Sequence, residues 1–110
     1  MRPFRNLKIA DLIEHELGKI LARDFFVEDT LVTITSVQVD EDLLHAKVKL
    51  GIIPEANTLE VLRALHYARG RFQQMLVKKL RIKPVPHIAF VADDHKDEVV
   101  SDEISEVVSE

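Results

Sequence analysis

The sequence predicts an α+β domain in which helices cover one face of a three-stranded sheet. Three observations carry this expectation. Apolar residues recur at helical spacing over residues 7–21 and again from residue 58. They alternate, or cluster as β-branched residues, over 31–39, 43–52 and 87–92. A chain of 110 residues suffices for one hydrophobic core and leaves no room for a second. The expected order is helix, strand, strand, helix with an interruption, strand, giving one domain over 1–95 and an acidic tail over 96–110.

In "LKIADLIEHELGKIL", residues 7–21, Ile9, Ile13, Leu17, Ile20 and Leu21 form one stripe while Lys8, Asp11, Glu14, His15 and Lys19 fall elsewhere, as in an amphipathic helix. "LVTITSVQV", residues 31–39, is β-branched and short, so it reads as a strand. After the acidic turn Asp40-Glu41-Asp42, the run "LLHAKVKLGI" places Leu44, Ala46, Val48 and Leu50 on a buried face and His45, Lys47 and Lys49 on a basic one. The two strands are close enough to form an antiparallel hairpin. A phase shift in the alternation near Ser36 predicts a bulge in the first strand.

The period turns helical again near Thr58, where Asn57 followed by Glu60 fits a reciprocal capping box. The expected core stripe is Leu59, Leu62, Leu65, Phe72, Leu76 and Leu80, with a step of seven residues across Ala68-Arg69-Gly70. Glycine costs about 1 kcal/mol relative to alanine inside a helix. Its place at position 70 therefore predicts a kink between two helical segments. Pro84 and Pro86 in "KPVPH" end the helix, and "HIAFVA", residues 87–92, reads as the third strand. In the tail, Val100, Ile104, Val107 and Val108 admit a short amphipathic helix, but the acidity favours a frayed end.

Hydrophobic residues at 46% and charged residues at 31%, with 3 glycines and 4 prolines, mark a compact folded chain rather than a disordered one. Without cysteine there are no disulfides or thiolate metal sites, which suits a reducing compartment. No long apolar run signals a leader or a membrane span, so the protein reads as cytoplasmic. The net charge of −4 averages two unlike regions. Residues 1–92 carry 14 Lys and Arg against 11 Asp and Glu, whereas residues 93–110 carry 8 acids and a single lysine.

Opposite the core stripe of the second helix lie Arg63, Tyr67, Arg71, Gln74, Lys78 and Arg81, at steps of three and four. Cations, an aromatic ring and an amide thus share one face with no carboxylate among them, flanked by Arg69 and Lys79. Phosphate attraction, base stacking and hydrogen bonding are all available there. A merely solvated face would interleave both signs of charge. The acidic runs Asp40-Glu41-Asp42 and Asp93-Asp94 have no EF-hand spacing and match ordinary turns, and the five histidines are dispersed, so no metal or cofactor is expected. Catalysis has no visible constellation: there is no cysteine nucleophile, no G-x-S-x-G and no phosphate loop.

The order α-β-β-α-kink-α-β resembles a type II KH domain, a fold used mostly to bind single-stranded nucleic acid. The usual G-x-x-G clamp is missing, and Ala68-Arg69-Gly70 stands in its place. That replacement resembles the ribosome-binding factor A family, whose members carry an Ala-x-Gly interruption. "SVQVDEDLLHAKVKL" is similar to the family's hairpin, "LHYARGRFQQMLVKKLRIK" to its long helix, and "VPHIAFVADD" to its last strand. Departures are the absent Asp-Pro-Arg before the first strand, in "DFFVEDTLV", and an N-terminal arm holding only Arg2 and Arg5. The resemblance implies a non-enzymatic late assembly factor, active especially in the cold, that binds 16S ribosomal RNA in the immature 30S subunit. It implies a monomer with no membrane partner. The alternative is a protein-interaction module on the same KH-like fold, docking an acidic protein.

Overall fold

A computed structural model describes residues 4–93. Helix α1 spans Arg5–Asp24 and buries Ile9, Ala10, Ile13, Leu17, Ile20 and Leu21. It runs past both limits of the apolar stripe, because periodicity registers only the positions that face the core. The Asn6 amide donates to the Val39 carbonyl at 3.1 Å, tying the start of α1 to the sheet.

Strands β1 (Leu31–Val39) and β2 (His45–Ile53) pair antiparallel, with the register shifting between Ile34 and Ser36. The expected bulge is therefore present. It turns Thr33 and Thr35 over Gly51, where an added Cβ would stand 3.2 Å from Thr33 Oγ1 and 3.3 Å from Thr35 Cγ2. Only glycine fits there without displacement. The second strand begins later than its alternation suggested. Leu43 adopts a left-handed conformation at φ 64° within the turn, leaving Leu44 exposed instead of in the core. Strand β3 (His87–Ala92) lies parallel to β2, with Val48 opposite Phe90, so the sheet order is β1-β2-β3.

Both helices cover one face of this sheet. Val37 and Val39, then Ala46, Val48, Leu50 and Ile52, then Ile88, Phe90 and Ala92 point into the core, as period-two strands require. Among the described residues no helix is long and apolar enough to cross a membrane. The tail from residue 94, with its possible helix, and Arg2 lie outside the described residues.

Helix α2 spans Thr58–Leu80, 23 residues without a break, and this corrects the expected kink at Ala68-Arg69-Gly70. The physical reason lies in the stripe itself. Leu65 and Phe72 are seven residues apart, two turns within about 20° on an ideal helix, so one rod buries both. Gly70 permits a bend but does not impose one, and it has no positive φ. Two smaller corrections concern the first turn. Leu59 is 42% exposed, and Val61 occupies the core in its stead. Asn57 makes no side-chain cap; its amide donates instead to Thr30 Oγ1 at 2.8 Å. A single 3-10 turn, Glu55–Asn57, runs directly into α2, which turns Asn57 away from the helix's free N–H groups.

Candidate nucleic-acid interface

The long helix has two unlike sides because its packed side is fully spoken for. Val61, Leu62, Leu65, Phe72, Leu76 and Leu80 are buried. The opposite side presents Arg63, Tyr67, Arg71, Gln74 and Lys78, all exposed, with Tyr67 at 93%. At about 100° per residue these five fall within an arc of about 80°. An unbroken helix aligns them more strictly than two helices across a kink. Glu60, also exposed, sits on the same arc in the first turn, so the acid-free stretch begins at Arg63.

Arg71 at the centre of the stripe is steadied by its neighbour. Its Cζ lies 5.1 Å from the Phe72 ring centroid, within cation–π range. Phe72 is in turn wedged edge-on against Phe25, with centroids 6.4 Å apart and planes at 79°. At the end of α1, Arg23 grips Asp24 through two hydrogen bonds of 3.1 Å. That grip holds the Asp24 carboxyl below its usual pKa, with a smaller contribution from the charge of Arg71, and raises that of Arg23. The carboxylate on which the charge of Arg71 acts is therefore already paired with Arg23, and among the described residues Arg71 makes no ion pair of its own.

Three of the expected residues sit differently from their expected places. Arg69 is half-buried and lies roughly opposite Tyr67 around the helix, on the packed side, so it does not flank the stripe. Lys79 is exposed but points about 100° away from Lys78. Arg81 is not helical: it caps α2 in a left-handed conformation, φ 56° and ψ 35°. It remains exposed at the cap, three residues beyond Lys78. Ala68 is half-buried against the core, while Gly70 lies on the open side, where an added Cβ would meet nothing within 4 Å. Gly70 thus leaves a gap in the surface between Tyr67 and Gln74.

Gln73 is a structural residue that the sequence did not reveal. Its Nε2 donates to the Pro86 carbonyl at 2.9 Å, and its Oε1 accepts from the Ile88 N–H at 3.0 Å. One amide thereby fixes the start of β3 to the middle of α2. The only available signal was a polar residue beside Phe72 that the outward stripe did not include.

The acidic turn is occupied with folding. Asp42 Oδ1 accepts the Leu44 N–H at 3.0 Å, and Asp40 Oδ2 lies 3.4 Å from His45 Nδ1. A shallow cleft of about 320 Å³ between Ile53, Glu55, Thr58 and Asp93 holds one threonine hydroxyl, which already donates to the Glu55 carbonyl at 2.7 Å. That arrangement offers no activated nucleophile.

Comparison with known proteins agrees with this architecture. The family model of ribosome-binding factor A matches residues 5–108. A ribosome-binding factor A from Burkholderia thailandensis is 34% identical over 102 residues, covering 90% of this chain and 81% of its own. The crystal structure of ribosome-binding factor A from Thermus thermophilus shares the fold, with a TM-score of 0.68, 19% identity, and coverage of 79% of this chain and 93% of that one. A homology model of the Thermus thermophilus factor, fitted into a cryo-EM map of its complex with the 30S subunit, aligns with a TM-score of 0.58 and 24% identity over 73% of this chain and 90% of that one. With its helix-strand-strand-helix-strand order and a family match along nearly its whole length, this chain belongs to the ribosome-binding factor A family.

Proposed function

We propose that this protein binds the 16S ribosomal RNA of the immature 30S subunit and assists its late maturation without catalysing a reaction, as a cytoplasmic monomer. The observation that carries the reading is the outward side of α2. Arg63, Arg71 and Lys78 set three cations along one arc, with Arg81 exposed at the cap beyond them, Tyr67 exposed for stacking and Gln74 for hydrogen bonding. Cations position a phosphate backbone, and the aromatic and amide groups read the bases beside it. Membership of a ribosome-binding family directs that chemistry toward ribosomal RNA.

Gly70 acquires a role distinct from bending. With no side chain between Tyr67 and Gln74, a nucleotide can approach the α2 backbone closely. Arg69 and Lys79 contribute to the surrounding potential rather than to direct contacts, since neither shares the arc. The test is chemical probing of 16S RNA in immature 30S particles with and without the protein. Protection that is confined to RNA, and that is weakened by Arg71→Ala/Lys78→Ala, is expected. Undiminished protection with that variant, or attachment only to an acidic ribosomal protein, refutes the reading.

A further inference from the structure

The face of the sheet turned away from the helices is a second basic surface. None of the three strands contains an aspartate or glutamate. On β2 the outward side chains are His45, Lys47 and Lys49, and the register sets His87 beside His45 and Gln38 beside Lys47. Small residues border the lysines: Ser36 and Val91 lie across from Lys49, and Ala89 across from Lys47. Among the described residues neither Lys47 nor Lys49 makes an ion pair. Among the described residues, carboxylates stand only at the two ends of this face. Asp40 is engaged by His45 in the turn, and Asp93 receives the Thr35 hydroxyl at the opposite end. Among the described residues the two lysines, Lys47 exposed and Lys49 half-buried, are therefore unpaired cations midway along this face, with polar Ser36 and Gln38 on one side and apolar Ala89 and Val91 on the other.

Geometry makes this surface independent of the first. Helix α2 turns its apolar side to the inner face of the sheet and its basic stripe away from it. The outer face of the sheet looks in the opposite direction. One short strand of RNA cannot touch both. Charge complementarity and the absence of carboxylates between the ends match a phosphate backbone, and polar Ser36 and Gln38 add hydrogen-bonding groups to it.

We propose that the outer sheet face, centred on Lys47 and Lys49, is a second phosphate-backbone site, so that the domain holds two RNA segments at once, one against α2 and one against the sheet. This rests on the reading of α2 as an RNA surface. The experiment is an NMR titration of the full chain with a single-stranded RNA of about 4 nucleotides, the low end of the range one small binding surface occupies and too short to reach both faces. Two RNA molecules per protein are expected at saturation, with separate sets of shifted amides along α2 and along β2. Lys47→Ala/Lys49→Ala should reduce the stoichiometry to one and abolish the β2 shifts alone, whereas Lys47→Arg/Lys49→Arg should retain both. Arg71→Ala/Lys78→Ala should do the converse. A single RNA with shifts only along α2 overturns the second site and leaves the first intact; no shifts anywhere overturn both. β2 amides that respond to deletion of residues 96–110 but not to RNA assign the sheet face to the acidic tail and overturn the proposal.

Discussion

The middle of α2 and its C-terminal end reverse the usual placement of glycine. At Gly70 the backbone is helical and a side chain would meet open space, so alanine would be favoured. At Arg81 the backbone is left-handed, the conformation in which glycine is the common cap, yet the chain places an arginine there. Each residue is the less stable choice for its site, and both lie at the exposed basic stripe. What the two positions share is the surface they make: one withholds a side chain beside Tyr67, and the other adds a cation beyond Lys78. Stability has been spent on the same stripe twice.

The sharpest contrast to Gly70 is its packed neighbour two residues on. Phe72 is fully buried, so Phe72→Ala should destabilise the fold by about 3–5 kcal/mol, measured by urea denaturation. The loss would also free Arg71 from the ring it rests on. Gly70→Ala should instead stabilise the protein by about 1 kcal/mol, since an unbroken helix gains from a better former. Gly70→Leu should raise the midpoint as well while weakening RNA binding, because it fills the gap. A lower midpoint for either variant would restore the kink. Arg81→Gly should add about 1 kcal/mol by relieving the left-handed backbone. It should flatten the salt dependence of RNA binding by about 0.7, the share of one phosphate contact.

The smallest expected effect is electrostatic and lies off the stripe. Asp24 is held below its usual pKa, so in the folded state it binds its proton less readily than in the unfolded chain. It therefore adds stability above the unfolded value, and that stability is lost as pH falls through the folded one. Because both partners are exposed, the effect should be slight. A midpoint that drops below about pH 4 in the wild type, and drops less in Asp24→Asn, is the expected signature.

Strand and helix identity were legible wherever the signal was local. The nine residues of β1, the six of β3, the bulge before Ser36 and the start of α2 at Thr58 all follow from period and residue type. What escaped was set by contacts distant in the chain. Asn57 has a local capping partner in principle, but Thr30 reaches it from 27 residues away. Gln73 reads as one more surface amide until Pro86 and Ile88 come beside it. The kink at Gly70 was misjudged because propensity is a weak preference and tertiary packing on both sides of the glycine outweighs it. The basic stripe was legible because a helix converts spacing directly into a surface, whereas Arg69 and Lys79 show that proximity in sequence does not.

The central claim is that the outward side of α2 holds the RNA backbone, and the dependence of binding on salt measures it most directly. If Arg63, Arg71, Lys78 and Arg81 each neutralise one phosphate of a single-stranded segment, log K should fall against log salt with a slope of about −2.8. The contribution of the sheet face is removed by making the measurement on Lys47→Ala/Lys49→Ala. Adding Arg71→Ala/Lys78→Ala to that background should bring the slope to about −1.4. A slope near zero in the first variant, or an unchanged slope in the second, would contradict the account.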